Sequence, residues 1–320
     1  MSKSRENRIE SGNDRGSSDP ERFNPKSLAI VTTVHYPKWY PGEVNWDDQE
    51  TLTDKTRGDS ALQMIALAQS FDYSLFVIDS EASEPFTQEL INLEIKRFAE
   101  KPGGMSAGRQ QGFKEASGTT GIDFVCWIEP EKIDLINFMP DLVKPLTTGE
   151  ADIVVPKRRE KEFIDTYPGY QVDSEKKANR LWNNMLKKFG ILPENSEELD
   201  VLFGPKIYRN IPEVAELFQK KYQHFTNINP SPESNLVYQP SHYSNAIFIP
   251  IIAALHRGLK VSSVEIPYKH PADQTKVELN SEKLAGVVRR WSQLREIVRT
   301  CADYCRSLKE GSISHTKPIA

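Results

Sequence analysis

The strongest constraint on the fold is a series of short apolar runs separated by helix-like stretches. The runs cover residues 28–34, 73–79, 122–128 and 151–156, and the first reads LAIVTTV without interruption. A continuous β-branched run is typical of a strand that is covered on both faces. Strands that alternate with helices predict a parallel sheet with helices on both sides. We therefore expect an α/β fold with an open, mostly parallel sheet.

The 320-residue chain is expected to form one large domain with flexible ends. Residues 1–26 are polar and predict a disordered arm, and residues 309–320 predict a flexible tail. Residues 27–160 hold the four apolar runs and are expected to bind a ligand. Residues 161–308 are more charged and helical, and are interpreted as the second half of the same domain, helical and β, which would receive the acceptor.

Charge and cysteine content exclude several classes of protein. The net charge of −4 argues against a dedicated nucleic-acid binder, which usually carries a strongly basic domain. No run approaches 18 apolar residues, so we expect no transmembrane segment, and the polar start lacks the apolar core of a secretion signal. Three cysteines (Cys126, Cys301 and Cys305) are too few for a disulfide framework, which favours a cytoplasmic location.

Polar residues follow each predicted strand at the point where the strand ends. They are Thr33, Asp79, the Glu129-Pro130-Glu131 segment, and Lys157 or Arg158. In an open parallel sheet, ligands bind outside the carboxyl ends of the strands. Acidic, basic and hydrogen-bonding groups gathered at one edge suit a nucleotide diphosphate with a metal ion.

Glu129 and Glu131 allow two interpretations. Carboxylates two residues apart point the same way if strand geometry continues, and they are hard oxygen ligands for Mg²⁺ or Mn²⁺. Acidic residues at the start of a helix are also favoured by the helix dipole, so the same segment fits a charged helix cap. Spacing alone leaves both interpretations open.

Two further features are weaker. Gly103 and Gly104 precede a helix whose N-terminus could face an anion, and Arg109 could neutralise a phosphate. This segment matches neither the P-loop nor the dinucleotide motif, so an ordinary glycine loop is an equal alternative. His270 follows a strand and could bind a metal or transfer protons, although a lone histidine is more often structural.

Taken together, these segments resemble nucleotide-sugar glycosyltransferases of the GT-A fold, especially the family-two-like group. LAIVTTVHYP resembles the strand that opens the nucleotide site, and VIDSEAS resembles the strand whose final acid contacts the base. GGMSAGRQQG is similar to the family loop and helix, with Gly104, Ser106, Arg109 and Gly112 in comparable places. Glu129-Pro130-Glu131 stands where the family has Asp-x-Asp. The resemblance covers about residues 28 to 160.

The resemblance implies transfer of a sugar from a nucleotide-diphosphate sugar to an unidentified acceptor, with Mg²⁺ or Mn²⁺. It implies that Thr33, Asp79, Gly104, Arg109 and Lys157 or Arg158 bind the donor. Glu129, Glu131 and His270 would hold the metal, as a late histidine does in retaining relatives that act on glycerate compounds. Asp200 is the candidate for the catalytic residue. The donor base, the stereochemistry and the oligomeric state are not indicated.

Three alternatives remain open. A sugar-phosphate nucleotidyltransferase has a similar sheet, but its glycine-rich signature is missing after the first strand, where HYPKWYPGE contains only Gly42. A catalytically silent GT-A module that binds a nucleotide sugar or a partner protein would explain the unusual Glu-Pro-Glu. The third is a peripheral-membrane variant that acts on a lipid acceptor. No basic amphipathic helix is evident, and the C-terminal helix, which carries basic residues and a tryptophan in VVRRWSQLREIVR, is interpreted as a packed helix.

Overall fold

A seven-stranded mixed sheet organises the chain in the computed structural model, which describes residues 23–101, 105–220, 222, 246–280 and 283–310. The strand order is β3-β2-β1-β4-β6-β5-β7, and every neighbouring pair is parallel except the two pairs that include β6. The strands are β1 (Leu28–Val34), β2 (Ser74–Asp79), β3 (Arg97–Ala99), β4 (Phe124–Trp127), β5 (Ile153–Arg158), β6 (Lys206–Arg209) and β7 (Val261–Ile266). The predicted open, mostly parallel α/β sheet is confirmed.

Helices cover both faces of this sheet. They are α1 (Leu52–Ser70), α2 (Glu84–Asn92), α3 (Met105–Ser117), α4 (Met139–Thr147), α5 (Glu160–Thr166), α6 (Gly169–Lys188), α7 (Pro212–Gln219), α8 (Ile249–His256), α9 (Ala272–Asn280) and α10 (Lys283–Lys309). Alternate residues of β1 enter different cores. Leu28 and Ile30 pack with α1 and α4, whereas Ala29 and Val31 pack with α3 and the C-terminal helices. Burial on both faces explains why LAIVTTV is apolar throughout.

The first helix is longer than its sequence predicts. We expected it to begin near Asp59, but α1 begins at Leu52. Lys55 is buried there beneath the aromatic rings of the preceding loop, so a polar residue occupies a position that the apolar pattern does not identify. Gly58 allows this loop to lie close to the helix, because a Cβ atom at Gly58 would lie 2.3 Å from Cδ1 of Trp39.

Two strands depart from the predicted order. The sequence predicts one helix over residues 85–100, but α2 ends at Asn92, Glu94 has a positive φ of 55°, and β3 follows as a short edge strand. Residues 201–210 were predicted as a short strand or turn, and β6 inserts there antiparallel between β4 and β5. These pairings join residues 27–160 and 161–308 in one sheet. The division itself remains a prediction.

The ends of the chain lie largely outside the described residues, so the predicted arm at 1–26 and tail at 309–320 remain predictions. The three cysteines are buried free thiols. Within the described part of the chain, no helix is long and apolar enough to cross a bilayer.

Candidate active-site cleft

A cleft of about 530 Å³ opens at the carboxyl ends of β1 and β4. Residues of α9 and α10 line the same cleft. The sequence-predicted residues that line it are Thr33, Arg109, Glu129, Glu131, Arg158 and His270. Further polar and aromatic lining residues include Tyr36, Arg57, Lys132, Tyr167, Glu175, Tyr268, Glu278 and Arg290. The structure therefore gathers most of the predicted site at one place.

Glu129 presents a carboxylate that is only partly satisfied. Its Oε2 atom is buried and accepts no hydrogen bond from any residue in the described part of the chain. The carboxylate lies against Gly204, whose φ is +102°, and a Cβ atom there would lie 2.0 Å from Glu129 Oε1. A glycine at this turn is thus needed for both backbone conformation and space. A buried acceptor without a donor is a group to which a ligand can bind.

Lys206 supports the turn against which Glu129 lies. Its side chain is fully buried, and Nζ donates to the carbonyl oxygens of Val201, Gly204 and Pro205 at 3.0, 2.8 and 3.1 Å. Burial lowers the pKa of Lys206 to about 7, although the negative charge of Glu129 opposes this effect. Three carbonyl acceptors match the three donors of an ammonium group, so these hydrogen bonds favour the charged form and oppose the effect of burial.

Glu131 is held in place by two donors. Its Oε1 atom accepts a hydrogen bond from the Tyr36 hydroxyl at 2.9 Å and lies 3.0 Å from Nε of Arg57. Burial and the Glu131 carboxylate raise the pKa of Tyr36 well above its ordinary value, so the hydroxyl remains a donor at neutral pH. Glu129 and Glu131 therefore differ, because Glu131 is already engaged and Glu129 keeps an open oxygen.

Arg109 is a buried cation in the wall of the cleft. It is only 5% exposed, and its guanidinium carbon lies 4.7 Å from the centre of the Trp127 ring. Close packing of α3 on β1 places it there, since a Cβ atom at Gly112 would lie 2.4 Å from Cγ1 of Val31. Thr33, at the end of β1, lines the same cleft. A buried guanidinium beside a cleft can recognise an anionic group.

His270 lines the cleft from the segment between β7 and α9. Its ring stacks on Tyr167 with a centroid distance of 4.3 Å, and Nε2 lies 3.4 Å from Oε2 of Glu278. The backbone N–H of His270 donates to Oγ1 of Thr166 at 2.9 Å, which fixes this segment against the end of α5. The histidine is thus held by its neighbours while it lines the cleft.

Asp200, the candidate catalytic residue, does not line the cleft. Its Oδ1 and Oδ2 atoms accept hydrogen bonds from Nη2 and Nε of Arg158, each at 2.8 Å, and Oδ1 also accepts one from Asn179 at 2.6 Å. Glu175 binds a third nitrogen of Arg158 at 2.6 Å. Burial alone would raise the pKa of both carboxyls, but Arg158 outweighs it and holds each pKa below its ordinary value. Asp200 positions Arg158.

Lys157 also points away from the cleft. Its Nζ atom pairs with Glu197 at 2.6 Å, whereas the next residue, Arg158, is buried and lines the cleft. Successive side chains of a strand face opposite sides, so only one of the two can reach the cleft. Of the two basic residues considered from sequence, the structure brings Arg158 to the site and leaves Lys157 outside it.

Asp79 lies in a neighbouring hollow of about 740 Å³ between the end of β2 and β3. Its Oδ2 atom accepts a hydrogen bond from Arg97 at 2.7 Å, and its Oδ1 atom accepts one from the backbone N–H of Ala82 at 3.0 Å. His35 lines the main cleft and contacts the carbonyl oxygen of Ser80, which lines the hollow. The two cavities therefore adjoin where His35 contacts Ser80. Gly104 lies outside the described residues.

The metal-binding prediction can be tested against the donors present. In the described part of the chain, no group of three or more His, Cys, Asp or Glu side chains is arranged to hold a metal. Mg²⁺, however, is commonly bound through one or two carboxylates together with substrate phosphates and water. The open oxygen of Glu129 fits that mode of binding. A closed protein cage formed by Glu129, Glu131 and His270 does not fit.

Sequence reasoning missed the residues that hold Glu129 and Glu131 in place. Tyr36 and Arg57 belong to segments that read as a loop and a polar helix start, and Lys206 looks like an exposed strand residue. Their roles depend on contacts across the sheet edge, which local spacing does not encode. In the sequence, Gly204-Pro205 marks the turn itself. It does not show that the Glu129 carboxylate lies against this turn.

Comparison with known proteins gives structural neighbours only. No family model matches the chain, and no curated protein matches it. A crystal structure of glucosyl-3-phosphoglycerate synthase from M. tuberculosis is similar at 16% identity, with a TM-score of 0.49 over 88% of this chain and 81% of that chain. A structure of that enzyme with Mn²⁺, UDP-glucose and phosphoglyceric acid has 16% identity and a TM-score of 0.47, over 88% and 80% of the two chains. This low similarity does not identify reacting residues, so the cleft itself carries the functional conclusion.

Proposed function

We propose that the protein transfers a sugar from a nucleotide-diphosphate sugar to an acceptor, with a divalent metal. The observation that carries this proposal is the open, buried oxygen of Glu129 in a cleft that also contains the buried guanidinium of Arg109. A diphosphate with a bound cation would present the positive ion to the Glu129 carboxylate and negative phosphate oxygens to the Arg109 guanidinium. The order of motifs along β1, β2, α3 and β4, which resembles the GT-A family, supports the same interpretation.

The basic residues of the cleft are suited to stabilise a departing diphosphate. Arg109 is held against Trp127, and Lys132 lies 4.7 Å from the centre of the Phe203 ring. Burial disfavours the charged form of Lys132, but Tyr167 and Glu129 outweigh burial and keep its pKa above the ordinary value. Both side chains are therefore cations at neutral pH. Fixed charges aimed at a developing anion are the main source of stabilisation in reactions of this kind.

Glu129 would hold the metal, and Glu131 would keep the segment in position through Tyr36 and Arg57. When bound, the ion would offset negative charge on the diphosphate. Asp79 and Arg97 offer an acceptor and a donor in the adjoining hollow, and we assign the nucleoside end of the donor to that place. Thr33 lines the cleft near this junction. The cytoplasmic location remains a prediction, which the three free thiols suit.

Thermal unfolding with a panel of UDP-, GDP-, ADP- and dTDP-sugars tests the proposal. Each donor is added with Mn²⁺ or Mg²⁺ and then with EDTA, and release of the nucleoside diphosphate is followed in parallel. A ligand present at 100 times its Kd stabilises the folded state by about 2.7 kcal/mol. We expect one nucleotide class to raise the midpoint in the presence of metal, and EDTA to reverse the rise.

Glu129→Gln is the matched variant, because it keeps the size of the side chain and removes its charge. We expect it to lose the metal-dependent part of the rise and the release of diphosphate. Glu150→Gln, at an exposed position, is the control and is expected to behave like the wild type. A rise that does not require metal, with no release, would favour the silent module. No rise with any donor would contradict the proposal.

A further inference from the structure

Helix α10 has two faces of different character. At about 100° per residue, positions three or four apart lie on the same side of a helix. The residues of α10 that line the cleft lie on one side of the helix and are Gly286, Arg289, Arg290, Gln293, Leu294 and Ile297. Val288, Trp291, Arg295 and Arg299 are exposed on the other side of the helix, roughly 180° away. The C-terminal helix is therefore packed on one side only, and its other side faces outwards.

Helix α6 extends this outer surface. The two helices lie side by side, since Glu175 pairs with Arg290 and Nζ of Lys177 lies 5.7 Å from the centre of the Trp291 ring. Leu181 of α6 is 57% exposed, and on α10 Val288 is 57% and Trp291 38% exposed. Large apolar side chains thus stand on the outside of both helices.

The charged side chains around these apolar residues are mainly basic, although Asp173 of α6 is also exposed and Glu296 of α10 is partly exposed. Lys177 and Arg180 on α6, and Arg295 and Arg299 on α10, are all exposed. We call these four residues, together with Leu181, Val288 and Trp291, the basic face. The whole chain carries a net charge of −4, so the positive charge of this face is a local concentration. Basic residues beside exposed tryptophan and aliphatic side chains are typical of surfaces that lie on anionic bilayers.

We propose that the basic face docks on the surface of a bilayer that contains anionic phospholipids. Lys177, Arg180, Arg295 and Arg299 would contact the headgroups, and Trp291, Val288 and Leu181 would enter the boundary between headgroups and acyl chains. A second copy of the chain is disfavoured as the occupant, because a symmetric interface would set the same basic residues against one another. The exposed aliphatic side chains favour a bilayer over a nucleic acid.

The proposal goes beyond glycosyl transfer and does not depend on it. Because the cleft and the basic face lie on opposite sides of α10, docking would hold the cleft one helix diameter from the membrane surface. The diameter of a helix with its side chains is about 10–12 Å. A reaction cleft at that distance could receive its acceptor from the interface.

Sedimentation with vesicles tests docking directly, and it needs no activity. The full-length protein is mixed with vesicles of phosphatidylcholine alone or with about one third phosphatidylglycerol. Each mixture is prepared at low and at high salt, because salt screens the attraction between basic side chains and anionic headgroups. Arg295→Glu/Arg299→Glu is the test variant. Lys114→Glu/Lys144→Glu, at exposed positions on α3 and α4, makes the same change in net charge elsewhere.

We expect binding to the anionic vesicles only, weakened by salt and lowered at least about tenfold in the Arg295→Glu/Arg299→Glu variant. The control variant should bind like the wild type, and Trp291→Ser should weaken binding by a smaller factor. Equal loss in both double variants would overturn the proposal, because it would show attraction to net charge alone. No binding to anionic vesicles would also overturn it. A dimer of the wild type in analytical sedimentation that the Trp291→Ser variant does not form would overturn it too, because a second copy of the chain would then cover the basic face.

Discussion

Two groups of buried charge lie near the carboxyl edge of the sheet, and they differ in how fully their oxygens are satisfied. Asp200 has hydrogen-bond donors at both of its oxygens, and Arg158 is bound by two carboxylates. Glu129 keeps one buried oxygen that no donor among the described residues reaches. A fully paired buried charge stabilises one arrangement of the fold, whereas an incompletely paired one is ready to meet a ligand.

The largest effect should follow from removing the shared cation of the paired group. Arg158→Met leaves Asp200 and Glu175 buried without their main partner, and such a loss costs about 3–5 kcal/mol. We expect that decrease in the free energy of unfolding, measured with urea. Lys161→Met removes an exposed partner of Asp165 and should cause no measurable change. Equal and small changes in the two variants would show that the buried network does not hold the fold.

A smaller effect should separate the two glutamates of the Glu-Pro-Glu segment. Glu131→Gln weakens charge-assisted bonds to Tyr36 and Arg57 and should lower the free energy of unfolding by about 1–2 kcal/mol. Glu129→Gln loses attraction to Lys206 and Lys132 but breaks no hydrogen bond at its buried Oε2 atom, and Lys206 keeps its three carbonyl acceptors, so its cost should be smaller. Urea unfolding of both variants without ligand is the measurement. A larger cost for Glu129→Gln would contradict the assigned roles.

The sequence predicted the parts of the fold that depend on local apolar patterns. The runs at 28–34, 73–79 and 122–128 form β1, β2 and β4, because burial on both faces requires apolar residues throughout. β3 and β6 were not resolved in this way, since each has only three or four residues and takes its structure from its neighbours. Short strands carry too little pattern to distinguish them from turns.

The site residues also divide into those that a local sequence pattern predicts and those that depend on neighbouring elements. Thr33, Arg109 and Glu129 were predicted because they follow apolar strands or glycines, and all three line the cleft. The roles of Asp200 and Lys157 could not be inferred, because they depend on which side of β5 faces the cleft. A shift of one residue along a strand exchanges its two faces, and the sequence around residue 157 does not fix that choice.

The paired group should also impose a pH dependence on the free energy of unfolding. Arg158 holds the pKa values of Asp200 and Glu175 below their ordinary values of 3.8 and 4.5. Between the lowered and the ordinary pKa values, the unfolded chain binds more protons than the folded chain. The free energy of unfolding must therefore fall as the pH drops from 5 towards 3, by at most about 1.4 kcal/mol per pH unit for each carboxyl.

Asp200→Asn removes one of the two titrating carboxyls from the network. Its unfolding free energy, measured with urea at several pH values, should fall less steeply between pH 5 and 3 than that of the wild type. Glu150→Gln changes an exposed carboxyl and should keep the wild-type slope. If Asp200→Asn keeps the full slope as well, the acid sensitivity of the chain resides in other carboxyls. The contrast between the paired network and Glu129 would then lose its energetic basis, although the open oxygen of Glu129 would still be available to a ligand.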